Sequence, residues 1–312
     1  MKNKILVIGS MNNDLVVYTQ RHPVPGETLL GDRFVTFPGG KGANQAIAAA
    51  RLGGDVQMVG RIGDDSFGQE LVDNLVRNKV DVAHVLKVKE PTGTAFITVD
   101  AKGQNSIIVI PGANGTLTPS DMDLLKDVIQ SAKILVLQME IPLEAVIRAI
   151  DIAHSIGTTI LLNPAPATQI PIETLRKVTY LIPNESELAQ LSGFETSTFS
   201  ACHQAVKHLQ SQGCHQILLT RGEHGAYYFD QKNQIFAPPF KVPVVDTTAA
   251  GDAFIGGLAA ALAADMGIHA ALLQASAAGA LAVTKAGAQT SLPLKSDVEI
   301  FLKKHKQEVK TI

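Results

Sequence analysis

Short apolar runs alternate with longer helical patterns through most of this chain, and that alternation limits its fold more than any other feature. Runs over residues 5–9, 56–60, 134–138, 158–162, 180–182 and 216–220 are rich in Ile, Leu and Val and bounded by turn residues. A run of this kind fits a strand buried on both faces. Amphipathic patterns over 66–78 (capped by Ser66), 143–155, 185–191 and 199–210 fit helices, and 227–229 fits an antiparallel strand. Strands joined by helices form a parallel sheet through right-handed crossovers. The expectation is an α/β fold: a doubly wound, mostly parallel sheet flanked by helices. With no internal repeat, low-complexity tract or linker, residues 1–312 are expected to form one domain.

Two segments break the alternation. Residues 14–38 alternate apolar and polar side chains and are interrupted by Pro23, Pro25 and Gly26. Residues 92–110 read as two strands around the turn-rich 100–105. Paired together, these insertions would make a small β-sheet able to cover a site as a lid.

Polar residues recur where the parallel strands end, the edge at which open α/β sheets bind ligands. They are Asn12 and Asp14 after the first strand, then Glu140, Asn163, Asn184 with Glu187, and Thr220-Arg221-Gly222-Glu223-His224-Gly225. Taken singly, each reads equally as a cap or turn residue. Gly39-Gly40-Lys41-Gly42-Ala43-Asn44-Gln45-Ala46 opens an Ala-rich helix, and its glycines permit close backbone approach to a ligand. It is not a Walker A loop, and neither GxxxxGK[ST] nor GxGxxG occurs in the chain. Asp246-Thr247-Thr248-Ala249-Ala250-Gly251-Asp252 runs from a Pro-punctuated segment into a long Ala/Leu-rich helix. The first N–H groups of a helix lack intrahelical partners and favour an anion, and Ala249, Ala250 and Gly251 leave room for one. Asp252 beside them suggests a general base next to developing negative charge. The competing reading is a plain N-capping Asp.

These stretches carry a resemblance. Residues 246–252 resemble the C-terminal signature of the ribokinase (phosphofructokinase-B-type) family of carbohydrate kinases, with Ala249 where that signature commonly has Gly. Residues 39–46 resemble its N-terminal signature. Together with Asn163-Pro164-Ala165-Pro166-Ala167 they are similar to the members acting on D-ribose. The likeness runs from Ile5 to about Pro293. It implies ATP-dependent phosphorylation of D-ribose at the 5-hydroxyl, with Asp252 taking the proton and Ala249, Ala250 and Gly251 holding the transferring phosphoryl group. It further implies ribose contacts from Asn12, Asp14, Gly40, Lys41, Gly42, Asn44 and Glu140. ATP contacts are implied for Asn184, Thr220 to Gly225, Gly251 and Ser276, the last where relatives often have Asn or His. Mg²⁺ would bind with ATP, with Glu187 acting on it through water. K⁺ would lie between two loops, with oxygens at Asp246, Thr248, Ala282, Lys285, Gly287 and Ser291. Another sugar or nucleoside kinase of the same fold, or a sugar-binding regulator without activity, remain as alternatives.

Composition narrows the remaining classes. The chain is 46% hydrophobic and 18% charged, with net charge −2, which gives no electrostatic case for nucleic acid or an anionic membrane. No apolar run approaches the ~20 residues of a membrane span, and the run after Met1-Lys2-Asn3-Lys4 is too short for a secretory leader. Cys202 and Cys214 are the only cysteines and read as reduced thiols, so a cytoplasmic protein is expected. Asn114-Gly115-Thr116 and Asn184-Glu185-Ser186 match glycosylation acceptors by chance. No cluster has metal-ligand spacing, and neither GxSxG nor HExxH occurs. Open sheet edges and faces tend to pair, so a homodimer through the small sheet is expected.

Overall fold

The computed structural model describes residues 3–312; Met1 and Lys2 lie outside the described residues. Its main sheet has ten strands. From one edge the parallel strands run Asp81–Val88, Asp55–Gly63, Lys4–Ile8, Ile134–Leu137, Thr159–Leu162, Tyr180–Leu181 and Ile217–Thr220. Ala226–Phe229, Gln234–Ala237 and Lys310–Thr311 continue it antiparallel. Side chains of a strand alternate between faces. Accordingly Ile5 and Val7 join the core under the helices Lys41–Arg51, Ala250–Ala263 and Ile268–Ala282. Leu6 and Ile8 join the opposite core with Leu143–Ser155 and Phe199–Ser211.

The two irregular segments do pair. A separate four-stranded sheet has the order Arg33–Gly39, Asn12–Tyr18, Gly93–Val99, Asn105–Ile110. Register puts Phe34, Phe96, Ile108 and Ile110 on one face, all about half exposed or more. Asp14 lies on the other face.

Three differences from the sequence reading have simple causes. The helix Ser66–Arg77 is capped by Asp65 rather than Ser66: its side chain accepts from Gly68 N at 2.8 Å. Asp65 also accepts from Thr92 N and Oγ1, tying the helix start to the root of the small sheet. Asp81–Val88 is a strand that periodicity missed because it forms an edge and stays largely wet. Lys295–Lys304 is a helix that was missed because it buries only Val298 and Phe301. Among the described residues no helix is long and apolar enough to cross a membrane.

Helices Lys41–Arg51 and Ala250–Ala263 cross closely on one face of the sheet. A Cβ on Gly256 would come within 2.4 Å of Ala48 Cβ, so glycine there permits the approach. The starts of these two helices therefore meet, although 208 residues separate Asn44 from Asp252.

Candidate active site

The parallel strands end at a common edge, and there the two helix starts enclose a cleft of about 210 Å³. Lys41, Asn163, Asn184, Glu187, Ala249, Gly251 and Asp252 line it. Asp252 is buried, and both its carboxylate oxygens accept from amides: Oδ2 from Asn44 Nδ2 and Oδ1 from Gln45 Nε2, each at 2.9 Å. Gln45 Nε2 also donates to Asn163 Oδ1 at 3.2 Å.

Ala249 is the N-cap of the helix Ala250–Ala263 and adopts φ 58, ψ 12, the left-handed region. Glycine would sit there without strain, whereas a side chain costs about 1 kcal/mol. Ala250 N–H bonds Thr247 O at 3.3 Å. Among the described residues no acceptor pairs with the N–H groups of Ala249, Gly251 and Asp252. Of the N–H groups expected to hold an anion, those of Ala249 and Gly251 are therefore free and that of Ala250 is engaged, while the N–H of Asp252 is free as well.

The acidic residues are crowded. Glu140 Oε2 accepts from Ser10 Oγ at 2.5 Å and from Lys41 N at 3.0 Å, so it caps the helix Lys41–Arg51. Asp14 is pushed up to about 7, first by burial, then by Glu140 and Asp252. Burial disfavours the Lys41 ammonium, but Asp252, Glu140 and Glu187 outweigh it and raise its pKa, keeping it charged. Glu187 is raised by burial and by Asp252, against the pull of Asn184 N–H and Lys41. It forms a reciprocal cap with Asn184, whose N and Nδ2 donate to it at 2.9 Å. Gly40 and Gly42 lie at the start of the helix Lys41–Arg51. Asn12 Oδ1 accepts from Asn114 Nδ2 at 2.7 Å, so its own NH₂ is the group left for a ligand.

Other positions are placed less directly. Thr220 lines the cleft, but Arg221 turns to Glu185, 2.8 Å away, and stacks over Phe199. Gly222–His224 is a 3₁₀ turn with Glu223 and His224 exposed, and Gly225 closes it at φ 86. Ser276 Oγ is buried without a partner on the helix Ile268–Ala282, outside the cleft. Asp246 Oδ1 accepts from Thr248 N and Oγ1, and Oδ2 from Gly287 N at 2.9 Å, joining the two loops. Burial raises the Asp246 pKa, but these donors outweigh it and leave it lowered. Ala282 O accepts from Lys285 N, and buried Ser291 donates its hydroxyl to Ala288 O. Among the described residues no group of three or more His, Cys, Asp or Glu could hold a metal by itself.

Sequence reasoning left out Ser10, Asn114, Gln138 and Gln289 and gave Gln45 no role. Asn114 is buried and bonds Met11 N and Met11 O, which rules out the glycosylation match. Gln138 directly follows the parallel strand Ile134–Leu137, the one local signal that could have singled it out.

Residues 2–295 match the model of the pfkB family carbohydrate kinases. The chain is 42% identical to a ribokinase of Bacillus subtilis, over 97% of this chain and all of that one. It is 39% identical to a deoxyribokinase of Salmonella typhi, over 93% and 95% of the two. A bifunctional ribokinase/ribose-5-phosphate isomerase A of Fructilactobacillus sanfranciscensis is 41% identical over 95% of this chain, which spans only 55% of that longer protein. The structure of Arabidopsis thaliana ribokinase complexed with ribose and ATP superposes with a TM-score of 0.90 at 35% identity, covering 97% of this chain and 99% of that one.

Proposed function

The chain belongs to the pfkB family of carbohydrate kinases, and from that premise we propose that it transfers the γ-phosphoryl group of ATP to the 5-hydroxyl of D-ribose. The observation that carries this reading is Asp252: a buried carboxylate gripped by two amides beside a helix start with free N–H groups. The 5-hydroxyl oxygen attacks the γ-phosphorus as the bond to the bridging oxygen of ADP breaks, and the hydroxyl proton passes to Asp252. The N–H groups of Ala249, Gly251 and Asp252 meet the charge spread over the phosphoryl oxygens. Lys41 adds a fixed positive charge in the cleft. Asn12, Asp14, Asn44 and Glu140 supply donors and acceptors of the kind a sugar's hydroxyls need. Asn184 and Thr220 line the part of the cleft proposed to take the nucleotide, whereas Ser276, buried outside the cleft, offers it no direct contact here.

Glu187 suits Mg²⁺ brought with ATP: it is a buried carboxylate in the cleft with only Lys41 as a nearby counter-charge. Its outward side would hold the ion's water shell. When bound, the ion neutralises phosphate charge.

The K⁺ site is proposed between the loops around Asp246 and Gly287. One carboxylate there accompanies loop carbonyls, a donor set suited to a large monovalent cation. K⁺ is expected to raise turnover well above Na⁺ or Li⁺ at matched ionic strength, and Asp246→Ala to abolish the difference. Matching is needed because salt also screens the phosphates. Identical wild-type rates in K⁺, Na⁺ and a bulky organic cation would leave these loops as ordinary turns.

Coupled ADP release with ribose tests the activity directly. The deoxyribokinase relative favours a second reading, with 2-deoxyribose as the sugar. A site built to hydrogen-bond a hydroxyl rejects an analogue lacking it, because its own groups are left unpaired. With the Asn12 amide free to donate, ribose is expected to exceed 2-deoxyribose in kcat/KM. Equal or reversed efficiencies would favour the second reading.

A further inference from the structure

A carboxylate can only accept, so Asn44 and Gln45 must present their NH₂ groups to Asp252 and turn their carbonyl oxygens away. Each of those oxygens meets another buried amide. Gln138 Nε2 donates to Gln45 Oε1 at 2.7 Å. Gln289 Nε2 donates to Asn44 Oδ1 at 3.0 Å, and Gln289 Oε1 in turn accepts from Asn74 Nδ2. Two head-to-tail carboxamide chains therefore converge on one carboxylate. Gln138 and Gln45 end on Oδ1; Asn74, Gln289 and Asn44 end on Oδ2.

The arrangement carries a cost. Gln138 Oε1 is buried with no partner, and an orphaned buried carbonyl is unfavourable. It fits only because residue 9 is glycine: a Cβ there would come within 2.0 Å of that oxygen. Aligned amide dipoles polarise one another, so each chain strengthens the grip at its end.

We infer that Gln45, Gln138 and Gln289 are positioning residues for phosphoryl transfer. They hold the Asp252 carboxylate at a fixed angle, with its remaining lone pairs turned to the cleft, and they act through bonds of fixed direction. Gln138 reaches Asp252 through Gln45, and Gln289 reaches it through Asn44, with a longer bond from Gln289 Nε2 to Gly39 O at 3.4 Å. The inference rests on Asp252 being the base.

The test compares the full-length wild type with Gln45→Met, Gln138→Met, the double variant, and Gln289→Met, measuring kcat, ribose KM and the unfolding midpoint. Misplacing a reacting group by a fraction of an ångström to 1 Å lowers rates by roughly 10–100-fold. Gln45→Met is expected to lose kcat in that range with ribose KM little changed. Gln138→Met should lose less, and adding it to Gln45→Met should lower kcat no further. Gln289→Met should multiply with Gln138→Met, because the chains end on different oxygens. Should Gln45→Met fail to fold, the Gln138 and Gln289 variants carry the test. A purely structural role would lower the midpoint and leave the kcat of the folded fraction intact. Wild-type kcat in both Gln45→Met and Gln138→Met, or multiplying effects along one chain, would overturn the inference while leaving the kinase reading standing. Absence of ADP release from the wild type with both ribose and 2-deoxyribose would remove both.

Discussion

Replacing Asp252 with Asn is expected to lower turnover by roughly 10²–10⁴-fold, the contribution of a positioned proton acceptor. The substitution keeps the shape and the two amide neighbours. It removes the atom that takes the hydroxyl proton. It also sets an NH₂ group against Asn44 or Gln45, each of which donates, so one of the two contacts is lost whichever way the new amide turns. Ribose does not depend on that proton transfer to bind, so its affinity by calorimetry should stay close to wild type. Steady-state ADP release then separates the two steps. Near-normal turnover in this variant would take Asp252 out of the proton transfer and leave it as a buried carboxylate that ties two helix starts together.

The second large effect belongs to Asp14. Burial, Glu140 and Asp252 hold its folded-state pKa near 7 against an ordinary 3.8. If its carboxylate accepts a sugar hydroxyl, ribose KM should be steady above pH 7 and rise about tenfold per pH unit below it. Asp14→Asn should raise ribose KM by two orders of magnitude or more and flatten that dependence. Stability should move the opposite way. A group with a raised folded-state pKa binds more protons folded than unfolded, so its contribution to stability is lost as pH rises from about 4 to about 7. Above that window the charge costs on the order of 4 kcal/mol. The Asn variant should therefore unfold at a higher temperature than wild type at pH 8, and the gap should shrink toward pH 4. A ribose KM independent of pH in the wild type, together with a normal KM in Asp14→Asn, would dismiss Asp14 as a sugar contact.

The parts of this structure legible in sequence are those whose signals are local. Ile5 to Ile8 could be read as a buried strand because four consecutive side chains are sealed by helices on both faces. The pairing of the two insertions was legible because residues 14–38 alternate apolar and polar side chains, and because two β-rich runs flank the turn-rich loop 100–105. At the edge the signal fades: Asp81, His84 and Lys87 disrupt the period of Asp81–Val88, whose outer rim faces water. The Asp65 cap was missed because two capping residues stand side by side, and bonds to Thr92 across the fold select between them.

At the site, small residues before Asp252 and glycines before Asn44 mark helix starts that approach something, and that is local chemistry. The direction of the Arg221 guanidinium is not, since Glu185 and the cleft are both within a side chain's length of the same loop. Nor are the partners of Gln45: Gln138 is 93 residues away in sequence, and Gln289 is 245 residues from Asn44. No spacing rule connects such positions; only the completed sheet and its crossing helices do.

Those separations also set an order of events during synthesis. At roughly 5–20 residues per second, about ten to fifty seconds pass between the ribosome adding Asn44 and adding Gln289. Throughout that interval Asn44 has no amide behind it, and for most of it no carboxylate ahead of it. The strands Lys4–Ile8, Asp55–Gly63 and Ile134–Leu137 can pair and bury their first core while the chain is still growing. The site itself closes only with the loop that follows the helix Ile268–Ala282. A nascent chain can thus be largely folded and still have no complete pocket for its substrates.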